Sequence, residues 1–237
     1  MKTTGVMRYL IAMTLLCFGF TQISAQGYAF GIKGGPGLST QKWNGFGGRE
    51  PLVRPQADLF IESHSNESNS SLFAQLGHHV RGSALRFFAY YDPVQGMNIN
   101  SQTSNIQFKN IVLGIGAKRR HDFGIGKAYY IIGLRGEYTY DTKMGGYLIA
   151  YEGLENKVLF GALVGGGYEL PFGRFVSGVI ELSINPDFSK QIYLPPQETG
   201  FTDNNGNEII LREQNVSNVS IELSVGLRFL REITYYD

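Results

Sequence analysis

Three side chains in this sequence could supply a nucleophile, a base and an acid. His79 is followed by Ser83, and Asp141 lies further along the chain. A serine activated by a histidine, with an acid orienting that histidine, is the arrangement used for hydrolysis and acyl transfer. No spacing in the sequence requires the three to meet. A histidine hydrogen-bonded to neighbouring charged groups is the structural alternative, and we therefore predict no catalytic residue.

No motif predicts a cofactor or a metal. Residues 124–127 read Gly-Ile-Gly-Lys, but they lack the upstream glycine spacing and the following Ser or Thr of a phosphate-binding loop. No Cys or paired-His spacing suggests zinc. The formal net charge of +1 is not the basic excess of a nucleic-acid-binding domain. The sequence predicts no cofactor, no metal site and no nucleic-acid partner.

Residues 1–25 have the features of a secretory signal peptide. Two basic residues precede an apolar run over residues 9–20, and Ala25 offers a small residue at the cleavage point. The run is shorter than the roughly 20 residues that a spanning helix needs. The only cysteine, Cys17, lies in this run, so the predicted mature chain needs no disulfide. We expect an exported protein with one domain over residues 26–237.

Polar and apolar residues alternate in eight later segments. From residue 128 to residue 140, the even positions are mostly apolar or aromatic, and the odd positions include Arg135 and Glu137. A period of two over this many residues is typical of β-strands with one polar and one apolar face. The eight segments are 28–35, 57–62, 72–81, 110–118, 128–140, 158–170, 176–184 and 218–229.

The connections between these segments alternate in length. The first, third, fifth and seventh are long and polar, whereas the others are short, such as residues 171–173. Long extracellular loops and short periplasmic turns are typical of outer-membrane barrels, whose smallest size is eight strands. We therefore predict an all-β fold: an eight-stranded antiparallel transmembrane up-and-down β-barrel with short periplasmic turns and long extracellular loops. The expected location is the outer membrane of a Gram-negative bacterium.

Charged side chains on the polar faces would project into the barrel. Eight strands enclose an interior just wide enough for side chains to fill, and an unpaired charge there is costly. We predict an ion-paired plug, with a polar pore or proton path as the functional alternative. His79 is expected to project inward as well, and glycines on the same faces make room. The predicted luminal charge network is Lys33, Asp58, Glu62, Arg81, Lys118, Arg135, Glu137, Glu169, Glu181, Glu222 and Arg228.

Two predicted loops are candidate binding surfaces. Residues 87–104 begin with an aromatic cluster, and residues 186–214 contain the turn signal Asp-Asn-Asn-Gly. Loops on a rigid scaffold commonly carry binding, although the aromatic cluster fits an interfacial girdle equally well. The expected partners are outer-membrane lipid and lipopolysaccharide, with a protein partner at the loops as a further hypothesis. The candidate loop residues are Phe87, Phe88, Tyr90, Tyr91, Asp203 and Asn204.

Several segments resemble the small outer-membrane β-barrel (PorT-like) family. Residues 30–35, Phe-Gly-Ile-Lys-Gly-Gly, are similar to its first strand. Residues 72–82 are similar to its third strand, with Gln75 in place of an acidic residue and His78 in place of an aromatic one. The resemblance implies the barrel fold, an outer-membrane location and, for some members, a link to type IX secretion, but no particular activity. Segments similar to its later strands are 130–140, 164–169 and 222–229.

We predict a structural or interaction protein, with two alternatives. One is a lipid-modifying outer-membrane enzyme, of the lipid A deacylase or acyltransferase kind, built on His79, Ser83 and Asp141. The other is a soluble periplasmic β-barrel that binds an apolar ligand, which would show the same alternation with its apolar face inward. Aromatic residues near the ends of the apolar faces, such as Tyr28 and Phe229, favour the membrane barrel because interfacial girdles have this composition.

Overall fold

The computed structural model describes most of the chain after residue 26. The described residues are 27–44, 49–65, 68–92, 96–145, 149, 151–202, 208–211 and 213–232. They form thirteen strands, β1 (Gly27–Trp43), β2 (Arg49–His64), β3 (Ser70–Phe87), β4 (Tyr90–Asp92), β5 (Met97–Ile99), β6 (Gln102–Phe123), β7 (Gly126–Met144), β8 (Val158–Pro171), β9 (Val176–Pro186), β10 (Ile192–Leu194), β11 (Gln197–Thr202), β12 (Glu208–Leu211) and β13 (Gln214–Glu232). Within these ranges, no helix is long and apolar enough to cross a membrane.

Eight of the strands close into a ring. The order around the ring is β1-β2-β3-β6-β7-β8-β9-β13, and β13 pairs back with β1 from Gly27↔Glu232 to Trp43↔Val216. All neighbouring strands are antiparallel. The predicted eight-stranded antiparallel barrel is confirmed, and each alternating segment of the sequence lies within one strand of the ring. The predicted signal peptide, residues 1–25, lies outside the described residues.

The connections differ between the two ends of the ring. At the end called here the short-turn end, the connections are 65–69, 124–125 and 172–175. At the opposite, long-loop end, the connections are 44–48, 88–101, 145–157 and 187–213. The last of these contains β10 and the β11–β12 hairpin, and residues 88–101 contain the β4–β5 hairpin. Residues 44–48 form a shorter connection than the sequence predicts, because β1 and β2 both continue beyond their alternating segments.

The strands lengthen toward the long-loop end. In β1, Ser39, Gln41 and Trp43 still point inward, while Thr40 and Lys42 point outward and are exposed. The hydrogen-bond ladder needs only backbone groups, so it continues where the outward face is no longer apolar. Strand ends predicted from hydrophobic alternation are therefore too short at this end.

The outward face of the ring is apolar around its middle. Successive residues of a strand point to opposite faces, so the apolar half of each alternating segment is brought together on the outside. Each of the eight strands of the ring contributes a large apolar side chain that is 52% to 61% exposed. Together these side chains form an apolar wall, which is typical of contact with lipid. These side chains are Ile32, Leu59, Leu76, Leu113, Ile132, Phe160, Leu182 and Val225.

Aromatic side chains border this apolar wall. At the short-turn end, the rings of Phe30 and Phe229 stack with centroids 5.7 Å apart, and Tyr130 stacks on His121. Toward the long-loop end, Tyr138 is 52% exposed. Bands of aromatic residues at both margins of an apolar wall are typical of barrels that cross a membrane.

Candidate functional site: the luminal charge network

The predicted network lies inside the ring. All eleven residues are at most 6% exposed, and so is His79. Every strand of the ring contributes at least one of them. Their contacts divide into two groups, one toward each end of the barrel. The short-turn group contains Lys33, Glu62, Lys118, Arg120, Glu169, Glu181 and Arg228. The long-loop group contains Asp58, His79, Arg81, Arg135, Glu137, Asp187 and Glu222.

Glu62 is the centre of the short-turn group. One of its carboxylate oxygens accepts hydrogen bonds from both Arg120 and Arg228, and the other lies 3.2 Å from Lys118 Nζ. Glu169 also contacts Lys118, and one of its oxygens lies 2.9 Å from Arg120 Nε. Two carboxylates therefore share three cations, so removing either acid would leave buried positive charge without a partner.

Lys33 joins this group from β1, the strand between those that carry Glu62 and Arg228. Its Nζ forms a 2.5 Å ion pair with Glu181 and donates to Gln75 at 3.0 Å. The Tyr129 hydroxyl donates to the second oxygen of Glu181 at 2.9 Å, and Lys118 Nζ lies 3.9 Å from the centre of the Tyr129 ring. A cavity of about 20 Å³ remains between these side chains, which is room for about one water molecule. This part of the lumen is filled.

Two arginines organise the long-loop group. Arg81 Nη1 lies 2.9 Å from Glu137 and 3.0 Å from Asp187. Arg135 contacts the same two carboxylates, each at 2.6 Å. A planar guanidinium presents several donors in a fixed fork, so one arginine can hold two carboxylates at once. The four side chains form a square of alternating charge inside the barrel.

His79 lies between two carboxylates. Its Nε2 is 2.9 Å from Asp58 Oδ1, and its Nδ1 is 3.1 Å from Glu222 Oε1. A neutral imidazole has one N–H and one lone pair, so one nitrogen would direct its lone pair at a carboxylate oxygen. Both contacts are favourable only when both nitrogens carry a proton. The arrangement therefore fits a charged imidazolium.

With His79 charged, the positive and negative charges of the two groups taken together are equal in number. Seven cations face seven carboxylates across the two groups. An uncompensated charge in such a buried space is strongly destabilising, and a balanced network avoids it. The cations are Lys33, His79, Arg81, Lys118, Arg120, Arg135 and Arg228, and the carboxylates are Asp58, Glu62, Glu137, Glu169, Glu181, Asp187 and Glu222.

Two members of the network are missing from the sequence prediction. Arg120 lies two residues beyond Lys118, where the alternating segment ends, and alternation continued by one step places it inward. Asp187 follows β9 and turns back into the lumen, where its side chain is 1% exposed and accepts a hydrogen bond from Asn218 at 2.9 Å. Alternation could have found Arg120. It carries no signal for Asp187, because Asp187 lies beyond the last residue of the strand.

The three side chains of the catalytic alternative do not meet. Both ring nitrogens of His79 contact other carboxylates. The Ser83 hydroxyl donates to Gln41 at 2.8 Å. A register shift between β6 and β7 turns Asp141 to the outer surface, where it pairs with Lys109 at 2.8 Å. In the part of the chain that the structure describes, no group of His, Cys, Asp and Glu is arranged to hold a metal ion.

An apolar cluster covers the lumen at the long-loop end. β10 contributes to it, since Ile192 is fully buried, pairs with Val216 of β13 and bridges to Glu155. The preceding Gln191 is also buried and accepts a hydrogen bond from Asn218 at 3.0 Å. Apolar side chains of the chain itself thus fill the lumen at this end. The cluster consists of Trp43, Leu85, Ile106, Phe108, Met144, Ile192 and Val216.

Glu155 anchors the connection between β7 and β8. Its carboxylate accepts hydrogen bonds from the Gly153 backbone at 2.7 Å and from Lys157 at 2.5 Å. Burial raises the pKa of Glu155, but Lys157 and the nearby backbone amides lower it more, so the pKa lies below its ordinary value. A depressed carboxyl pKa means that this contact stabilises the fold at neutral pH and is lost as the pH falls through the folded-state pKa.

Gly77 makes room for the pair of Asp58 and His79. A Cβ at Gly77 would lie 2.0 Å from Asp58 Oδ1 and 2.8 Å from His79 Nε2. We expect Gly77→Ala to separate these two side chains and to lower the free energy of unfolding by about 1–3 kcal/mol. Urea unfolding in lipid vesicles measures this change. The control is Gly173→Ala, since a Cβ at Gly173 meets nothing within 4 Å, and equal stability losses in the two variants would contradict the prediction.

The candidate loop residues are only partly placed. Phe87 is the last residue of β3 and does not belong to a loop, and Tyr90 and Tyr91 belong to β4. Phe88 is 71% and Tyr91 is 61% exposed. The antiparallel strands β11 and β12 flank the Asp-Asn-Asn-Gly turn signal. Outside the described residues lie Asp203 and Asn204.

A closed eight-stranded ring with an apolar outer wall and a charged interior defines a small β-barrel of the transmembrane kind. No protein-family model matches the chain, and no curated protein matches it significantly. Among solved structures, the chain is similar to the outer membrane protein OprG from Pseudomonas aeruginosa, at 9% identity over 86% of this chain and 97% of that chain, with a TM-score of 0.47.

Two further solved structures match the chain with similar identity, coverage and TM-score. One is Ail, the attachment invasion locus protein of Yersinia pestis, in complex with the heparin analogue sucrose octasulfate, at 14% identity over 86% of this chain and 99% of that chain, with a TM-score of 0.44. The other is the outer membrane protease OmpT from Escherichia coli, at 10% identity over 88% of this chain and 98% of that chain, with a TM-score of 0.41. The resemblance of the sequence to the PorT-like family stays a prediction.

Proposed function

We propose that the chain is an integral outer-membrane protein with a closed lumen, acting as a structural or interaction protein through its long-loop end. The filling of the lumen carries this proposal. The charge network occupies the middle of the barrel, and the apolar cluster around Ile192 covers its long-loop mouth. A transport path would need an open lumen. No catalytic role is proposed, because His79, Ser83 and Asp141 are held by other partners.

The distribution of apolar surface supports placement in a membrane. A soluble barrel that binds an apolar ligand would turn its apolar face inward. Here the inward positions hold the charge network together with buried apolar clusters, and large apolar side chains on the outward positions, such as Leu59 and Ile132, are more than half exposed. Export by the predicted signal peptide and the long loops at one end favour the outer membrane, with the long-loop end outside the cell. Fractionation of bacterial membranes on a density gradient tests this location.

The closed lumen predicts an absence of conductance. We expect the full-length protein, reconstituted in planar bilayers, to produce no stable ohmic steps on the nanosiemens scale, because the ion-paired groups leave a luminal cavity of only about 20 Å³ between Lys33 and Glu62. An open-channel porin reconstituted in parallel serves as the positive control. Reproducible ohmic steps from the pure protein would contradict a closed lumen.

The long-loop end is the surface left for a partner. The β4–β5 hairpin and the residues before it expose Phe88, Tyr91 and Met97, at 71%, 61% and 53%. Aromatic residues such as tyrosine are enriched among the residues that contribute most to binding at protein interfaces. We propose a protein or lipopolysaccharide partner here, and the PorT-like resemblance adds a secretion or envelope complex as the setting. Replacing residues 88–101 by a short turn and comparing the partners recovered by cross-linking tests the hairpin's role.

A further inference from the structure

A polar patch interrupts the apolar wall near the long-loop end. It consists of His78, Lys109, Tyr140, Asp141 and Lys143 on the neighbouring strands β3, β6 and β7, and is called here the outer polar patch. His78 Nε2 lies 2.7 Å from the Tyr140 hydroxyl, and Lys109 Nζ lies 2.8 Å from Asp141. All five side chains are on the outside of the ring, away from the luminal network.

A β-bulge creates this patch. Asn110 pairs with Thr139 and Lys109 pairs with Asp141, so Tyr140 is an extra residue on β7. An extra residue allows two successive side chains to face the same side of a sheet. Tyr140 is 46% exposed and the Asp141 side chain 39%. The bulge therefore turns Asp141 outward beside Tyr140, next to Lys109.

The patch has an excess of positive charge. Lys109 is paired with Asp141, and the adjacent Lys157 is paired with Glu155 at 2.5 Å. Lys143 is exposed and interacts with the same Asp141 carboxylate at longer range, so two ammonium groups share one carboxylate. One uncompensated ammonium, beside the hydroxyl and imidazole donors of the patch, is complementary to a phosphate group.

We infer that the outer polar patch binds a phosphate group of lipid A in the outer leaflet. The inference rests on the proposed function, which places the long-loop end at that leaflet. The neighbouring outward side chains on the same three strands are apolar or aromatic, namely Leu76, Ile111 and Tyr138, and are 48% to 52% exposed. Acyl chains cover these side chains while the phosphate reaches the lysines at the margin. The patch thus fits a ligand with several acyl chains and an anionic head.

The test is lipid binding by Lys143→Gln. Native mass spectrometry of the full-length protein in detergent, with bisphosphorylated lipid A as the probe, measures the affinity. We expect the variant to bind at least about tenfold more weakly, because a hydrogen bond to a charged group is worth about 1.5–3 kcal/mol. The matched control is Lys127→Gln, at the other end of the same strand, which should bind like the parent protein.

Three results would overturn the inference: equal affinity for dephosphorylated lipid A, an equal loss in Lys127→Gln, or binding of phosphatidylglycerol as tight as that of lipid A. The orientation is checked separately with Lys190→Cys, since Lys190 is exposed in the last connection and the predicted mature chain has no other cysteine. A membrane-impermeant maleimide should label this cysteine on intact cells. Failure to label contradicts the proposed function, whereas failure of the detergent assay contradicts the lipid site alone.

Discussion

Arg81→Met is expected to lower the free energy of unfolding by about 3–5 kcal/mol, the usual result of removing one partner from a buried ion pair. The Arg81 side chain is 2% exposed and contacts Glu137, Asp187 and Glu222. Methionine retains much of the volume but none of the charge, so three carboxylates would face Arg135 and His79 alone. Urea unfolding in lipid vesicles measures the change, with fluorescence of Trp43, the only tryptophan, as the signal.

The control for this variant lies on the same strand. Arg86 also pairs with a glutamate, Glu50, at 3.4 Å, but about half of each side chain is exposed. An exposed ion pair is worth roughly 0–1 kcal/mol, so Arg86→Met should leave the unfolding curve almost unchanged. If Arg81→Met and Arg86→Met differed by less than 1 kcal/mol, the interior charge network would not be an important source of stability.

Glu62→Gln should produce a loss of similar size in the short-turn group. Glutamine keeps the shape of the side chain but leaves Lys118 and Arg120 with Glu169 as their one ion-pair partner among the described residues, and it removes the ion pair of Arg228. Breaking a buried pair in this way costs about 3–5 kcal/mol. The same unfolding assay applies, and Glu50→Gln is the exposed control.

A second substitution tests whether unbalanced charge explains the loss of stability in Glu62→Gln. Arg228 Nε donates to Glu62, so removing this arginine as well takes away one of the excess cations. The double variant Glu62→Gln, Arg228→Gln should therefore be more stable than Glu62→Gln alone. Additive losses in the double variant would indicate that lost packing, and not unbalanced charge, explains the single-variant result.

The inward and outward assignment of the strands could be predicted from alternation alone. Lys33, Glu62 and Arg135 lie in the lumen because every second residue of a strand shares a face, and lipid requires the other face to be apolar. The strand ends could not be predicted in this way. Beyond the apolar wall both faces are polar, as Thr40 and Gln41 illustrate, and the alternation stops although the backbone ladder continues.

Two features of the site have no periodic signal in the sequence. Asp187 reaches the lumen through a turn that follows β9, and its position is fixed by Arg81 and Arg135, which are distant in sequence. Asp141 faces outward, and not into the lumen as alternation predicts, because Tyr140 is an extra residue in a β-bulge. A single inserted residue moves the side chains that follow it to the opposite face of the strand. Alternation therefore predicts Asp141 in the lumen near His79, whereas the side chain lies on the outer surface.

The pairing of β1 with β13 sets a condition on folding. Gly27 pairs with Glu232, so the last seam joins residues from the two extremes of the described chain. Contacts this far apart in sequence form slowly, because a long loop must first close. Until that happens, both outermost strands present unpaired backbone edges, which are templates for pairing with other chains. A chain released before β13 reaches β1 is therefore expected to aggregate unless those two edges are protected during assembly.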